Sequence, residues 1–423
     1  MEKELLKEII LEQQEIIKNK EIGVEREDLS KIKEYILLPH AIVISGMRRV
    51  GKSTLLAQII NKFYKDNIYY FNFEDERLLN FTPEDFNHLY ESFMELFGQQ
   101  KAFFLDEIQN VKGWEMFVGR MLDGGFKFFI TGSNASLLSK ELGTRLTGRY
   151  LTCELYPFSF KEFLRLKEYP LTSNTLSLTS KRAEVKALFN EYLKEGGMPE
   201  YLKFRNLEIL KKVYDDILYR DIVARYDIKE TKSLRELALY FLSNLSTLFS
   251  YNKLKGSLGL GSVNTVKAYT EYLENSFMVF VTNIFSYSLK QQFIAPKKVY
   301  CIDNKLADCI SFRFSKDRGR FLENLVVVEL RRRRKELYYY KTKNGLEVDI
   351  LIRKGEGIEG LIQVTEGISD AAVRQRELKS LTTAMNELGL GEGLLLTADE
   401  EEEVMLGDKV IKVMPTYKWL LQG

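Results

Sequence analysis

Between Ala41 and Asn134, short apolar runs alternate with stretches in which apolar residues return every three or four positions. Ala41–Ser45, Ile68–Phe73, Lys101–Leu105 and Lys127–Thr131 read as strands, because uniform apolar runs this short do not make a helix face. Leu55, Leu56, Ile59, Ile60 and Phe63 fall on one side of a helix from about Lys52 to Tyr64, and Trp114–Leu122 fits a second helix. Buried strands separated by helices predict a mostly parallel sheet covered on both faces. Ahead of it, residues 1–37 read as two short helices broken near Gly23.

Beyond Tyr156-Pro157 the period turns helical, over 160–168, 181–195, 205–225 and 231–249. The stretch SYNKLKGSLGLGSVNTVKAYTEYLEN then gives a short helix, a Gly-bearing turn and a helix with Val263, Val266, Tyr269, Tyr272 and Leu273 on one side. That is a helix-turn-helix pattern, for which Phe277–Phe285 and Lys298–Cys301 would supply the strands of a wing. An apolar helix over Phe321–Leu330 follows, then strands at 336–342, 347–352 and 360–365, a helix at 370–388, and strands at 393–397 and 410–413. The expected class is α/β in four parts: N-terminal helices over 1–37, a phosphate-loop domain with a helical lid over 38–225, a winged-helix-like domain over 226–312 and a strand-rich α/β domain over 313–423.

Candidate chemistry begins where the first strand meets its helix, at Gly46-Met47-Arg48-Arg49-Val50-Gly51-Lys52-Ser53-Thr54. Glycines let backbone N–H groups converge on phosphate oxygens, Lys52 brings a point charge to the outer phosphates, and Ser53 offers a hydroxyl to Mg²⁺. The helix N-terminus adds a favourable dipole. Gly46, Arg49, Val50, Gly51, Lys52, Ser53 and Thr54 are therefore the expected contacts to ATP. Phe103-Phe104-Leu105 runs into Asp106-Glu107 at the edge where parallel sheets bind ligands. Asp106 is expected to reach Mg²⁺ through water, and Glu107 to orient or deprotonate the attacking water. Ser133 or Asn134, at the end of the next strand, is the expected partner of the γ-phosphate or of that water, with Asn134 taken as the catalytic member. Arg145 and Arg149 offer a cation for the charge developing on the phosphoryl group, Arg149 being preferred and Arg220 a further candidate.

Composition changes this picture little. The 423 residues hold 62 Lys+Arg against 60 Asp+Glu, so total charge gives no argument for a polyanionic partner. Two His with Cys153, Cys301 and Cys309 make no zinc ligand set or disulfide framework, and so few cysteines suit a reducing cytoplasm. The start, MEKELLKEII, reads as an amphipathic helix and not a signal peptide, and no apolar run has membrane-span length. Local clustering is different. Eleven Lys/Arg stand against four Asp/Glu between Arg313 and Lys343. Within that stretch Arg331–Lys335 is an unbroken basic run ahead of Tyr338, Tyr339 and Tyr340, a composition suited to phosphates and stacked bases.

Taken with the phosphate loop and Asp106-Glu107, the segments Thr131–Asn134 (TGSN), Gly148-Arg149 and Pro157-Phe158-Ser159-Phe160 with Glu162 resemble a subgroup of archaeal and bacterial AAA-family ATPases. The resemblance implies an AAA-type P-loop ATPase domain using ATP and Mg²⁺, followed by a winged-helix segment and a domain similar to restriction-endonuclease folds. An endonuclease site of that kind needs a helix acid, a strand Asp, and Glu-x-Lys on the next strand. Glu323 or Glu329 answers the first and Asp349 the second. Gln363 and Thr365 stand where the acid and the lysine belong, and neither brings the required charge. The expectation is a fold kept without nuclease chemistry. The whole then reads as an ATP-hydrolysing switch or motor whose C-terminal modules contact DNA, through Arg331–Lys335 and the winged helix, or a partner protein. A homo-oligomer would let Arg149 serve a neighbour's nucleotide. The alternative is a slow-turnover ATP-binding regulator or scaffold that acts on protein partners and not on DNA.

Overall fold

The structure, a computed structural model, describes residues 1–65, 67–133, 146, 148–172, 175–311 and 317–422. Its contacts divide the chain into two compact units, Met1–Tyr156 with Asn275–Phe277, and Pro157–Glu274 with Met278–Gly423. The units part at Tyr156 and not at residue 225, and the N-terminal helices belong to the first unit.

The first unit is built on five parallel strands: β1 (Ala41–Ser45), β2 (Ile68–Asn72), β3 (Ala102–Asp106), β4 (Lys127–Gly132) and β5 (Tyr150–Glu154), in the order β2-β3-β4-β1-β5. Four are the strands read from the sequence. Their register pairs Phe103 with Phe128 and Phe104 with Phe129, and both ring pairs stack, at 4.8 and 4.4 Å between centroids. Aromatic pairs thus fix β3 against β4 on both faces of the sheet. The pattern gave no sign of β5. Only Cys153 of its residues is buried, since an edge strand needs a backbone partner more than an apolar run. The helix Lys3–Lys18 joins this core through Leu6, Ile9 and Ile10. Its Gln13 bonds both the N–H and the C=O of Asn72, at 2.8 and 3.0 Å, satisfying backbone at the exposed end of β2.

The second unit holds a run of helices and one nine-stranded sheet. The helix Lys232–Ser243, β6 (Thr247–Phe249), the helices Tyr251–Ser257 and Val263–Asn275, β7 (Val279–Ile284) and β8 (Lys297–Cys301) follow one another in an order compatible with a winged helix. β6, which the helical period had absorbed, pairs antiparallel with β8, and β8 pairs antiparallel with β7. Next come the helix Arg318–Arg332, β9 (Glu336–Lys341), β10 (Glu347–Lys354), β11 (Gly357–Val364), the helix Ala371–Leu388, β12 (Glu392–Thr397), β13 (Glu402–Leu406) and β14 (Lys409–Pro415). β13 is a charged edge strand, a common guard against edge-to-edge pairing, and for that reason unlike a buried strand in sequence. β7 pairs parallel with β9, so the expected boundary at 312/313 falls within a single sheet. Among the described residues, no helix is long and apolar enough to cross a membrane.

Candidate functional site

The first strand, β1, ends at Ser45, and the loop from Gly46 turns into the helix Lys52–Ile59. A Cβ at Gly46 would collide with the Leu155 carbonyl oxygen, and Gly51 has φ of 101°, so the loop admits glycine alone at both places. Arg49 takes φ of 61° and is exposed, while Val50 is buried. Lys52 is 5% exposed, its ammonium folded into the loop's own concavity, where it donates to the carbonyls of Gly46 (3.2 Å) and Met47 (3.4 Å) and pairs with Glu107 (3.2 Å).

The sheet order decides what surrounds that ammonium. Because β4 lies between β1 and β3, its end stands between the loop and Asp106-Glu107. The Thr131 hydroxyl donates to Asp106 and accepts the Glu107 N–H at 3.0 Å. Ser53 and Tyr70 also donate to Asp106, the latter at 3.3 Å. Burial, reinforced by the neighbouring Glu107, raises the Asp106 pKa against these bonds and the Lys52 charge. Burial also works to raise Glu107, but there Lys52, the Gln109 amide and Arg48 prevail, and the carboxyl sits below its ordinary range. Ser133 is 2% exposed, and its Oγ has no hydrogen-bond partner among the described residues. A buried hydroxyl without a partner is costly unless a ligand completes it. A serine hydroxyl bonded to a carboxylate is a pair of oxygen donors, the type that Mg²⁺ takes, so Ser53 and Asp106 fit that ion.

Sequence reasoning missed three members of this site or its frame. Thr131 was read only as part of a motif, and Tyr70 as a core residue. Arg26 is buried and donates to the carbonyls of Val50 (3.0 Å) and Tyr156 (2.5 Å), fastening the phosphate loop from the N-terminal segment. Its one faint signal was an arginine in a break between helices. Asn134 and Arg145 lie outside the described residues. Arg149 pairs with Asp123 at 2.5 Å. It directly precedes β5, whose Tyr150 is level with Ala41 and Glu154 with Ser45. It therefore stands at the edge of the sheet opposite the one that carries its own phosphate loop.

Most of the basic run makes contacts within the fold. Arg331 lies 4.1 Å over the Phe280 ring, Arg333 lies 4.5 Å over Trp419, and Arg332 and Arg333 both pair with Glu329, at 3.0 and 2.8 Å. Lys335 pairs with Glu359 at 2.5 Å. Arg331, Arg332, Arg333 and Lys335 are thus engaged within the fold, while Arg334 is exposed. Glu329 is thereby removed as a candidate site acid. Glu323 and Asp349 do come together, and Gln363 stands beside them, accepting the Asp349 N–H (3.2 Å) and donating to Glu377 (2.8 Å). Thr365 bonds only the Gly367 carbonyl through its hydroxyl, at 3.4 Å. The cation missing from position 365 comes from Lys298 of β8, another residue that the sequence did not mark.

Residues 39–164 match the family model of the AAA domain, and 186–317 and 318–419 match two domains of unknown function, DUF8612 and DUF4143. An uncharacterized protein of Haemophilus influenzae is 32% identical over 330 residues, which cover 75% of this chain and 80% of that one. The solved Orc1 protein of Aeropyrum pernix in complex with DNA aligns at 13% identity with a TM-score of 0.36, covering 70% of this chain and 95% of that one. An uncharacterized protein of Methanocaldococcus jannaschii is 39% identical over 431 residues, 97% of this chain and 95% of its own. With that identity running almost end to end, and the AAA match lying over the parallel sheet and its phosphate loop, the chain belongs to the family of the Methanocaldococcus jannaschii protein and carries an AAA ATPase domain.

Proposed function

We propose that the chain is a Mg²⁺-dependent ATP-hydrolysing switch, with Lys52, Ser53, Asp106, Glu107, Thr131 and Ser133 as its working residues. The observation that carries this reading is their convergence, above all the 3.2 Å pair between Lys52 and Glu107 beside the Ser53–Asp106 contact. Without nucleotide, Lys52 and Glu107 neutralise each other. The outer phosphates of ATP offer Lys52 a stronger anion, which frees the Glu107 carboxylate. The freed carboxylate orients or deprotonates the attacking water. Ser53 and Asp106 hold Mg²⁺, which when bound neutralises charge on the phosphates. Ser133 completes its hydrogen bond on the γ-phosphate or the water. Arg149 acts on a neighbouring subunit's nucleotide, which makes the working form a homo-oligomer.

In this reading, residues 226–312 are a winged-helix output module and 313–423 an endonuclease-like fold that does not cut. The partner meets the helix Val263–Asn275 and the β7–β8 connection. Exposed Tyr287, Leu289, Phe293 and Ile294 on that connection favour a protein partner, since DNA contacts are mostly polar and cationic. The test is steady-state ATP hydrolysis by the native chain and Glu107→Gln, with and without duplex DNA. Turnover that survives Glu107→Gln sinks the assignment of Glu107. Stimulation by DNA selects a DNA-directed switch, and indifference to DNA selects the protein-directed one.

A further inference from the structure

Lys298 is 2% exposed, and its ammonium lies 2.9 Å from Asp349, 2.9 Å from Glu347 and 3.1 Å from Glu323. The three acids come from β10 and the helix Arg318–Arg332 and border an open cavity of about 540 Å³, with Gln363 and Glu377 on its wall. Carboxylates gathered beside an open cleft commonly hold a divalent cation, at 2.0–2.1 Å for Mg²⁺ and 2.3–2.6 Å for Ca²⁺. The spacing here is that of N–H···O bonds to an ammonium. The remaining donors and acceptors are also engaged. Tyr300 donates to Glu323 at 2.7 Å, the Val364 N–H donates to Asp349 at 3.1 Å, and Gln363 brings an amide where an acid would add charge. Among the described residues, no group of three or more His, Cys, Asp or Glu is disposed to hold a metal ion.

We propose that Lys298 is a resident cation, its ammonium standing among Glu323, Glu347 and Asp349 in place of a divalent metal, so that the cleft works without one and admits one only when the lysine is removed. Two physical points support this. The lysine carries counter-charge for buried Glu323 and half-buried Glu347 and Asp349, so a metal would have to displace a covalently tethered competitor. The lysine also comes from β8 and the acids from the segment beyond residue 317, so the same contact joins the winged-helix-like strands to the C-terminal part of the sheet. Neither point depends on the reading of the nucleotide site.

The test is thermal unfolding of the nucleotide-free full chain with and without Ca²⁺, which needs less contraction of the cage than Mg²⁺ does. The native chain should keep its Tm. Lys298→Met should have a lower Tm that Ca²⁺ raises by several degrees, and adding Asp349→Asn should abolish that gain. Should Lys298→Met stay unfolded without metal, recovery of its far-UV circular dichroism with Ca²⁺ is the same result. Lys298→Met with Glu347→Gln carries one acid fewer, folds more readily and should still gain. A folded variant indifferent to Ca²⁺ overturns the proposal. So does Ca²⁺ stabilisation of the native chain that Asp349→Asn removes, a measurement that does not depend on any lysine variant folding.

Discussion

At the nucleotide site, Lys52 makes its ion pair with Glu107, beside Asp106; in the second unit, Lys298 pairs with Glu323, Glu347 and Asp349 together. Both lysines are buried, and both contacts are near 3 Å. The acids nonetheless respond in opposite directions. Burial raises both, but Lys52 and its neighbours bring Glu107 below the ordinary carboxylate range. For Glu323, burial and then the adjacent Asp349 prevail over Lys298, and the pKa is pushed up to about 7. Near Glu107 two cations, Lys52 and Arg48, act on the carboxyl, whereas three carboxylates share Lys298. A lysine with one ion-pair partner makes a pair that an incoming phosphate can divide. Three acids per lysine make a cluster short of positive charge, which retains a proton and binds its lysine too strongly to release it.

The strongest challenge to this contrast is Glu107→Gln, which keeps the shape but removes the charge that Lys52 sees. Its kcat should fall by roughly a hundredfold to ten-thousandfold, while ATP affinity measured by titration calorimetry holds or tightens. Affinity lost together with rate would mean that the pair is part of the loop's structure. Next is Lys298→Met without divalent ions, expected to cost about 3–5 kcal/mol in urea unfolding because buried Glu323 and half-buried Asp349 lose their cation, with ATP affinity unchanged. A smaller loss would show that the cluster was already neutral. Thr131→Val removes the hydroxyl shared by Asp106 and Glu107, and should lower kcat about tenfold with less change in KM. The smallest effect is on pH. The folded chain keeps the Glu323 proton to about pH 7, whereas the unfolded chain releases it near the ordinary 4.5. Between those values the folded state binds more protons, so stability should decline as pH rises. Glu323→Gln should flatten that limb of a Tm-against-pH curve, and an unchanged limb would assign it to other groups.

The nucleotide site was largely legible because its parts are local. A strand, a glycine loop and a helix start within a few residues of one another, and Asp106 follows its apolar run directly. The role of Thr131 depended on which strand lies between β1 and β3, which no local pattern states. Arg26 and Lys298 were illegible for a related reason. Lys298 meets acids 25 and 51 positions away, and a search for lysine on the strand beside Gln363 looks in the wrong element. The basic run is the opposite case. Its charge is plain in sequence, but Glu329, Phe280 and Trp419, which absorb it, are identified only by packing.

The join between β7 and β9 is two residue pairs long, Asn283 with Tyr338 and Ile284 with Tyr339. It makes residues on either side of the expected boundary share one hydrogen-bond ladder. Fragments expressed from either side of residue 312 would each bare a sheet edge, and edges of that kind pair with other chains. One fragment would also carry a lysine with no acids, the other acids with no lysine. The two segments are thus poor candidates for exchange between genes as separate cassettes, and a substitution at the seam in one half calls for a compensating one in the other.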